Sequence, residues 1–129
     1  ALGLSIFPYI DSIIDERKTI CEFYNNNLSF NFYSEIAIRK GLKWNYAYYP
    51  ILFESENQLL IVKSNLEKGN IFPRRYFYPS LEELPYIDSD SCSIAKSIAS
   101  RVLCLPLYVG LRVNELKKIV NIINQSISL

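Results

Sequence analysis

The segment from Ile71 to Leu81 is the part of this sequence that most restricts how the chain can fold. It places two adjacent arginines, four aromatic residues and two prolines within eleven residues. A half-buried strand would alternate apolar and polar side chains, and an ordinary loop would contain more small polar residues. We therefore expect a rigid edge, extended from Ile71 to about Phe77, that presents cations and rings to a planar or anionic group.

The composition indicates one folded domain rather than a disordered, nucleic-acid-binding or membrane-spanning chain. Of the 129 residues, 50% are hydrophobic and 21% are charged, which is enough apolar material for a core. The 14 basic residues nearly balance the 13 acidic ones, so charge favours neither nucleic acid nor an anionic membrane as a partner. No apolar run approaches the length of a spanning helix, and no secretory signal opens the chain.

The side-chain inventory excludes several kinds of catalytic site. The chain has no histidine, which removes the usual general base and the usual zinc ligand. Cys21, Cys92 and Cys104 lack paired spacing and have apolar neighbours, which predicts buried thiols in a reducing, cytoplasmic compartment. With four glycines in all, there is no glycine-rich phosphate loop. We expect no catalytic, metal-binding or cofactor-binding residue in this chain.

Apolar residues at helical spacing predict four helices. The first spans residues 2–25, is interrupted by Pro8 and ends at a run of three asparagines. The second is capped by Ser55 with Gln58 and closed by Gly69. A short third helix is capped by the serine- and aspartate-rich stretch before it, and the last covers residues 113–126. The predicted buried positions are Leu59, Val62 and Leu66, then Ile94, Ala95, Ile98 and Ala99, and finally Leu116, Ile119, Val120, Ile123 and Ile127.

Four short strands are predicted between these helices. Residues 28–33 form a weak edge strand, and Trp44 to Phe53 show the strongest alternation of side chains. The extended part of the opening segment is the third strand, and the apolar run from Val102 to Leu107 is the fourth. The order of elements predicts an α+β (mixed α/β) fold in which a small mixed sheet is flanked by helices.

The arginines of the opening segment are the first candidates for ligand binding. On a strand, Arg74 and Arg75 face opposite sides, so only one of them can join a given site. A guanidinium beside Tyr76 or Tyr78 can bind a carboxylate or phosphate through two hydrogen bonds while it stacks on a ring. The alternative is that these arginines are charges at an exposed strand edge, where they discourage pairing with other chains.

Tyrosine is the second candidate group, with ten residues in the chain. An aromatic wall with hydroxyl groups suits a sugar or a nucleotide, because rings stack on flat faces and hydroxyl groups bond to one another. The alternative is that the rings fill the core and interfaces. The tyrosines considered for such a wall are Tyr46, Tyr48, Tyr49, Tyr76, Tyr78, Tyr86 and Tyr108.

Two segments carry a resemblance to a known family. One is Gly69-Asn70-Ile71 followed by Arg75-Tyr76-Phe77-Tyr78-Pro79, and the other runs from Ser93 to Tyr108 and ends in Arg-Val-Leu-Cys-Leu-Pro-Leu-Tyr, the most specific piece. Both resemble the C-terminal part of the DegT/DnrJ/EryC1/StrS aminotransferases. The first residues of the chain resemble the helix that leads from the large domain into the small one in that family, so the resemblance covers essentially the whole chain.

The resemblance implies a parent enzyme that uses pyridoxal phosphate to move an amino group from glutamate to a keto sugar bound to a nucleotide. It implies a two-domain fold type I homodimer whose cofactor lysine, pyridine-nitrogen acid and most phosphate contacts belong to the large N-terminal domain. Residues 1–27 would then lead from the missing large domain, and residues 28–129 would form the small C-terminal domain. The expected lining of the substrate cleft is Arg75, Tyr76 and Tyr78, with Arg74 next.

The sequence departs from the family pattern at three positions. Leu81 stands near a histidine that many members carry, Val109 replaces a usual proline, and Arg112 replaces a usual capping serine or threonine. Methionine is absent and the chain opens with an uncapped Ala-Leu-Gly-Leu. We therefore expect a fragment of a longer protein that begins inside a helix.

Two other interpretations stay open at this point. The chain could be a free-standing α/β module that binds a ligand or a protein partner without catalysis, or a structural piece that mediates dimerisation. An upstream reading frame encoding a large α/β domain, with a lysine after a strand, would favour the enzyme.

Overall fold

Helices alternate with short strands in the computed structural model, which describes residues 2–29, 40–88 and 92–127. In chain order the elements are α1 (Leu2–Ile6), α2 (Ile10–Asn27), β1 (Tyr49–Leu52), α3 (Glu56–Lys68), α4 (Ser93–Arg101), β2 (Val102–Leu105) and α5 (Val113–Ile127), with 3₁₀ turns at Phe7–Tyr9 and Leu81–Glu83. The predicted class, helices packed with a small sheet, is confirmed. Within the described ranges that sheet consists of two antiparallel strands.

Pro8 divides the predicted first helix into α1 and α2. Proline lacks the backbone N–H that a continuous helix requires, and residues 7–9 form a 3₁₀ turn. The second part runs through all three asparagines to Asn27, and Leu28 adopts an extended conformation after it. The predicted helix is therefore confirmed, with its break at the expected residue.

The predicted strand from Trp44 to Phe53 is wrong for residues 44–48. Tyr46 has a φ of 49°, which is incompatible with a strand. Ala47 N donates a hydrogen bond of 3.1 Å to the Asn45 side chain, which closes a local turn. Residues 28 and 29 are not in a strand, and residues 30–33 of the predicted edge strand lie outside the described part of the chain.

The predicted strand from Ile71 to Phe77 is also wrong, because the segment pairs with the sheet at one residue. Arg74 and Cys104 exchange both backbone hydrogen bonds, at 3.1 and 2.8 Å. The chain turns at residues 76 and 77, which ends the contact with the sheet on that side.

This pair explains how a proline fits into β1. In an antiparallel ladder, both backbone groups of a residue point to the same neighbouring strand. Those of Cys104 point to Arg74, whereas Pro50 lies opposite Cys104 on the other side. The position of Pro50 therefore requires no N–H toward β2, and its backbone groups face away from the sheet.

The core lies between the sheet and three of the helices. As predicted, α3 and α5 bury their apolar stripes, and Gly69 ends α3. A Cβ at Gly69 would lie 2.8 Å from the Ile122 Cδ1 atom, so α3 and α5 approach closely at this point. The principal buried side chains are Ile20, Cys21, Tyr24, Tyr49, Ile51, Phe53, Leu59, Val62, Leu66, Leu103, Leu105, Leu116, Ile119, Val120 and Ile123.

The apolar stripe predicted for α4 is largely exposed. Ala99 is buried, but Ile94 is 72% exposed and Ile98 is 43% exposed. Helical spacing identifies an apolar face, but burial also requires an element that covers it. The cap position of α4 is Cys92, whose side chain makes no capping hydrogen bond, and residues 89–91 of the predicted serine- and aspartate-rich cap lie outside the described part of the chain.

The neighbouring residues Leu59 and Leu60 test the position of the core. Leu59 is fully buried, whereas Leu60 is 46% exposed. We expect Leu59→Ala to lower the free energy of unfolding by about 2–5 kcal/mol, because it leaves a cavity, and Leu60→Ala by about 1 kcal/mol or less. Urea denaturation measures both, and equal losses would contradict this placement of α3.

The thiols give a second test, because the prediction that all three are buried is wrong for Cys92, which is exposed. Burial, assisted by the charge of Glu22, raises the pKa of Cys21 to about 11, and burial also raises the pKa of Cys104. Since the thiolate is the reactive form, we expect one fast-reacting thiol in the folded chain and three after denaturation, as counted with Ellman's reagent. Loss of the fast phase in a Cys92→Ser variant would identify Cys92 as the reactive thiol. A fast phase that remained in this variant would contradict the assignment.

Candidate functional site

The segment from Ile71 to Pro79 places its two arginines against different elements. Its start is fixed by a hydrogen bond of 2.9 Å from Ile71 N to Leu66 O at the end of α3, and its middle by the backbone pair with Cys104. An extended backbone directs successive side chains to opposite sides. Arg74 accordingly lines a groove beside β2, whereas Arg75 contacts α3 and α4.

Arg74 is exposed and lies among aromatic rings. Its guanidinium donates a hydrogen bond of 2.6 Å to the Tyr76 hydroxyl and lies 5.8 Å from the centre of that ring. The hydrogen bond raises the pKa of Arg74. The Tyr76 ring meets Tyr48 edge-on, with 5.3 Å between ring centres, so the cation is held beside two tyrosines that contact each other.

These side chains open into a groove of about 300 Å³ between the segment and the residues that follow β2. One side carries the Arg74 cation, and most of the other lining residues have aromatic or aliphatic side chains. The lining consists of Ala47, Tyr48, Phe72, Arg74, Tyr76, Cys104, Leu105, Pro106, Leu107 and Tyr108. We call it the Arg74 groove.

A second groove of about 420 Å³ adjoins the first and shares Phe72, Pro106 and Tyr108 with it. Glu115 and Lys118 also line it. Both are engaged locally, because Arg112 N donates to the Glu115 carboxylate at 2.9 Å and Lys118 Nζ donates to Gly69 O at 2.7 Å.

Arg75 is tied into the protein by three contacts. Its Nη2 atom lies 2.8 Å from Glu56 Oε1 and 3.0 Å from Ser100 O, and its guanidinium carbon lies 3.4 Å from the centre of the Tyr78 ring. The side chain is 13% exposed. Its Nη2 atom and one face of its guanidinium are therefore engaged within the chain, while its buried Nε has no hydrogen-bond partner among the described residues.

Glu56 joins this cluster from the first turn of α3. Ser55 caps that helix by accepting a hydrogen bond of 3.2 Å from Gln58 N, which fixes the position of Glu56. The hydrogen bond from Arg75, assisted by the nearby Tyr78 side chain, lowers the pKa of Glu56. A hydrogen bond from a guanidinium cation stabilises the carboxylate, so the cluster favours the ionised form of Glu56.

The Arg74 groove has the features of a binding surface for an anion attached to a flat or sugar-like group. An exposed guanidinium pairs with phosphate or carboxylate, and neighbouring rings provide stacking surfaces. The lining contains no lysine, histidine or acid, and the pKa of its Cys104 thiol is raised by burial. The lining of this groove thus offers groups that can bind a ligand but no lysine amine for the pyridoxal phosphate that the family resemblance implies, and the cofactor does not fit this groove by itself.

Two classes of site can be checked directly in the described part of the chain. No helix among residues 2–29, 40–88 and 92–127 is long and apolar enough to cross a membrane. Over the same residues, no group of three or more histidine, cysteine or acidic side chains is arranged to hold a metal ion.

The structure separates the four predicted site residues into two pairs. Arg74 and Tyr76 line the groove, whereas Arg75 and Tyr78 meet at Glu56. Of the other tyrosines considered, Tyr48 and Tyr108 line the groove, and Tyr49 packs in the core.

Sequence reasoning missed Phe72 in the groove and Glu56 and Ser100 in the Arg75 cluster. Phe72 belongs to the opening segment and could have been included for its exposed aromatic ring. Glu56 had only the signal of an acid in the first turn of a helix, which is common for electrostatic reasons.

A family model and two relatives match this chain. The model of the DegT/DnrJ/EryC1/StrS aminotransferase family matches residues 1–124. A dTDP-4-amino-4,6-dideoxy-D-glucose transaminase from Escherichia coli is 34% identical over 95% of this chain, and one from Shigella dysenteriae is 35% identical over 97%. The chain spans 36% of the length of each relative.

Solved structures share this fold at lower sequence identity. The aminotransferase TlmJ from Streptoalloteichus hindustanus superimposes with a TM-score of 0.89 at 17% identity, over 98% of this chain and 35% of TlmJ. PseC from Helicobacter pylori, an aminotransferase involved in the biosynthesis of pseudoaminic acid, gives 0.84 at 17% identity, over 98% of this chain and 36% of PseC. The fold found here is therefore about one third of those larger chains.

The lowered pKa of Glu56 predicts how the Arg75 cluster responds to acid. Because the pKa in the folded chain lies below its ordinary value of 4.5, the stabilisation is present above about pH 4.5 and is lost as pH falls through the folded-state pKa. Urea denaturation at pH 6 and pH 3 should show a smaller acid-induced loss of stability in Glu56→Gln than in the wild type. Glu83, whose pKa is lowered by Lys96, also loses its stabilising effect in acid, so both proteins should keep part of the acid-induced loss of stability. Identical losses in the two proteins would contradict the role of Glu56.

Proposed function

Because the chain belongs to the DegT/DnrJ/EryC1/StrS aminotransferase family, we propose that it is the small C-terminal domain of an aminotransferase that acts on a nucleotide-linked keto sugar. In this proposal residues 1–27 lead from a large domain of a longer protein, and residues 28–129 form the small domain. The chain contributes one wall of the substrate cleft.

The observation that carries the proposal is the Arg74 groove. It combines an exposed guanidinium with Tyr48, Phe72, Tyr76 and Tyr108 in one concave surface. A nucleotide sugar presents phosphates, a flat base and hydroxyl-bearing rings, and each has a matching group in this lining. A volume of about 300 Å³ is at the small end for a ligand site, which fits a wall that is completed by another part of the enzyme.

The relatives supply the proposed substrate class. Both are transaminases named for dTDP-4-amino-4,6-dideoxy-D-glucose. For this chain we take the substrate to be a deoxy keto sugar linked to a nucleoside diphosphate, with glutamate as amino donor. In this arrangement Arg74 binds the anionic diphosphate and Tyr76 contacts the adjoining sugar.

The reaction itself is assigned to the longer protein rather than to this chain. Pyridoxal phosphate, which carries the amino group between donor and acceptor, is proposed to bind the large domain, where the family places its lysine. The active enzyme is proposed to be a cytoplasmic homodimer. The role of the present chain is to orient the substrate and to exclude water from one side of it.

Nucleotide binding by the 129-residue chain tests this function. We expect a titration with dTDP, followed by amide NMR at fixed ionic strength, to shift resonances of the Arg74 groove. Arg74→Ala should weaken the affinity by roughly tenfold or more, because it removes a charge-assisted hydrogen bond to phosphate.

The matched control is Arg112→Ala, which removes an exposed arginine outside the lining of the groove. It should leave the affinity nearly unchanged. Equal effects of the two variants would indicate non-specific attraction, and a wild-type chain that shows no shift in the groove would overturn the proposal.

A further inference from the structure

We propose that Glu56 and Arg75 form a positioning pair that holds the segment so that Arg74 and Tyr76 face the groove. This role deepens the proposed function and rests on it, since it assumes that the Arg74 groove binds the nucleotide. Arg75 then acts on the substrate through its neighbour, and Glu56 becomes a determinant of substrate binding without touching the ligand.

The contacts of Arg75 support a structural rather than a ligand-binding role. Its Nη2 atom bonds to Glu56 at 2.8 Å and to Ser100 O at 3.0 Å, and its planar group stacks on Tyr78 at 3.4 Å. The side chain is 13% exposed, whereas Arg74 is exposed and lines the groove. A substrate anion would have to displace the Glu56 carboxylate in order to reach Arg75.

The geometry explains how this pair acts on Arg74. The backbone of Arg74 is held by Cys104 in β2, and the side chain of the next residue is held by α3 and α4. Two successive residues are thus anchored to opposite sides of the segment, which leaves little freedom for rotation about its axis. Tyr76 follows directly and is placed 5.3 Å from Tyr48.

The two roles of Arg75 make opposite predictions for loss of Glu56. If Arg75 bound the nucleotide directly, Glu56→Gln would release its guanidinium and remove a negative charge, so the affinity for an anion would rise. If the pair positions Arg74, the same substitution loosens the segment, and the affinity falls. The sign of the change distinguishes these roles.

The experiment compares Glu56→Gln with Glu67→Gln in dTDP titrations of the 129-residue chain. Glu67 is the matched control, because its side chain forms another ion pair of α3, with Lys63 at 2.6 Å, and that ion pair involves no residue of the segment. We expect Glu56→Gln to weaken dTDP binding by roughly threefold to tenfold, as coupled neighbouring groups do, and Glu67→Gln to leave it unchanged. An equal or higher affinity of Glu56→Gln would overturn the proposal.

A ligand-free measurement separates failure of this inference from failure of the proposed function. The Arg74 side chain lies beside the Tyr76 ring, so its Nε–H resonance reports that geometry through the ring current. Glu56→Gln should shift this resonance without nucleotide present, and Glu67→Gln should not. If the wild-type chain bound no dTDP, the proposed function would be wrong. The Arg74 resonance would still show whether Glu56 positions Arg74.

Tyr78→Phe provides a second, conservative variant. It keeps the ring that stacks on Arg75 and removes the hydroxyl that helps to lower the pKa of Glu56. We expect a shift of the Arg74 resonance in the same direction as in Glu56→Gln but smaller. An unchanged resonance in both variants would overturn the positioning role.

Discussion

The backbone pair between Arg74 and Cys104 is the constraint on which the site depends. It is a single two-bond contact, but it fixes the one point at which the segment meets the sheet. Because side chains alternate along an extended backbone, fixing this point also decides which arginine faces the groove. The same contact uses the backbone N–H and C=O groups of Cys104. The β1 residue opposite Cys104 therefore needs no N–H toward β2 and can be a proline.

The structure gives two chemically identical arginine–tyrosine pairs different environments. Arg74 keeps its charge exposed next to Tyr76, where a ligand anion can replace water at little cost. Arg75 is largely enclosed, where an unpaired guanidinium would be strongly unfavourable, and the Glu56 carboxylate compensates it. Burial therefore requires a partner within the chain, and the enclosed pair becomes scaffold while the exposed pair becomes available for binding.

Features that depend on local interactions could be predicted from the sequence, whereas features that depend on tertiary contacts could not. The buried stripe of α3 was predicted, because helical spacing and a capping box are local signals. The strands were overpredicted, since the turn at Tyr46 and the single pair at Arg74 depend on tertiary contacts. The exposed face of α4 could not be anticipated either. In the candidate site, Arg74 and Tyr76 could be named from the cluster of arginines and aromatic rings in the opening segment, but the contact between Arg75 and a glutamate nineteen residues earlier has no local signal.

Pro50 has a consequence for how this domain meets other chains. Among the described residues no strand pairs with the outward side of β1, and exposed sheet edges recruit foreign strands through their free N–H groups. The backbone groups of Pro50 face this side, and proline has no N–H to offer there. A foreign strand that paired with this side of β1 would lack one hydrogen-bond donor, and β1 is only four residues long. The residue that β1 tolerates because of Cys104 therefore also protects the sheet against intermolecular β-pairing.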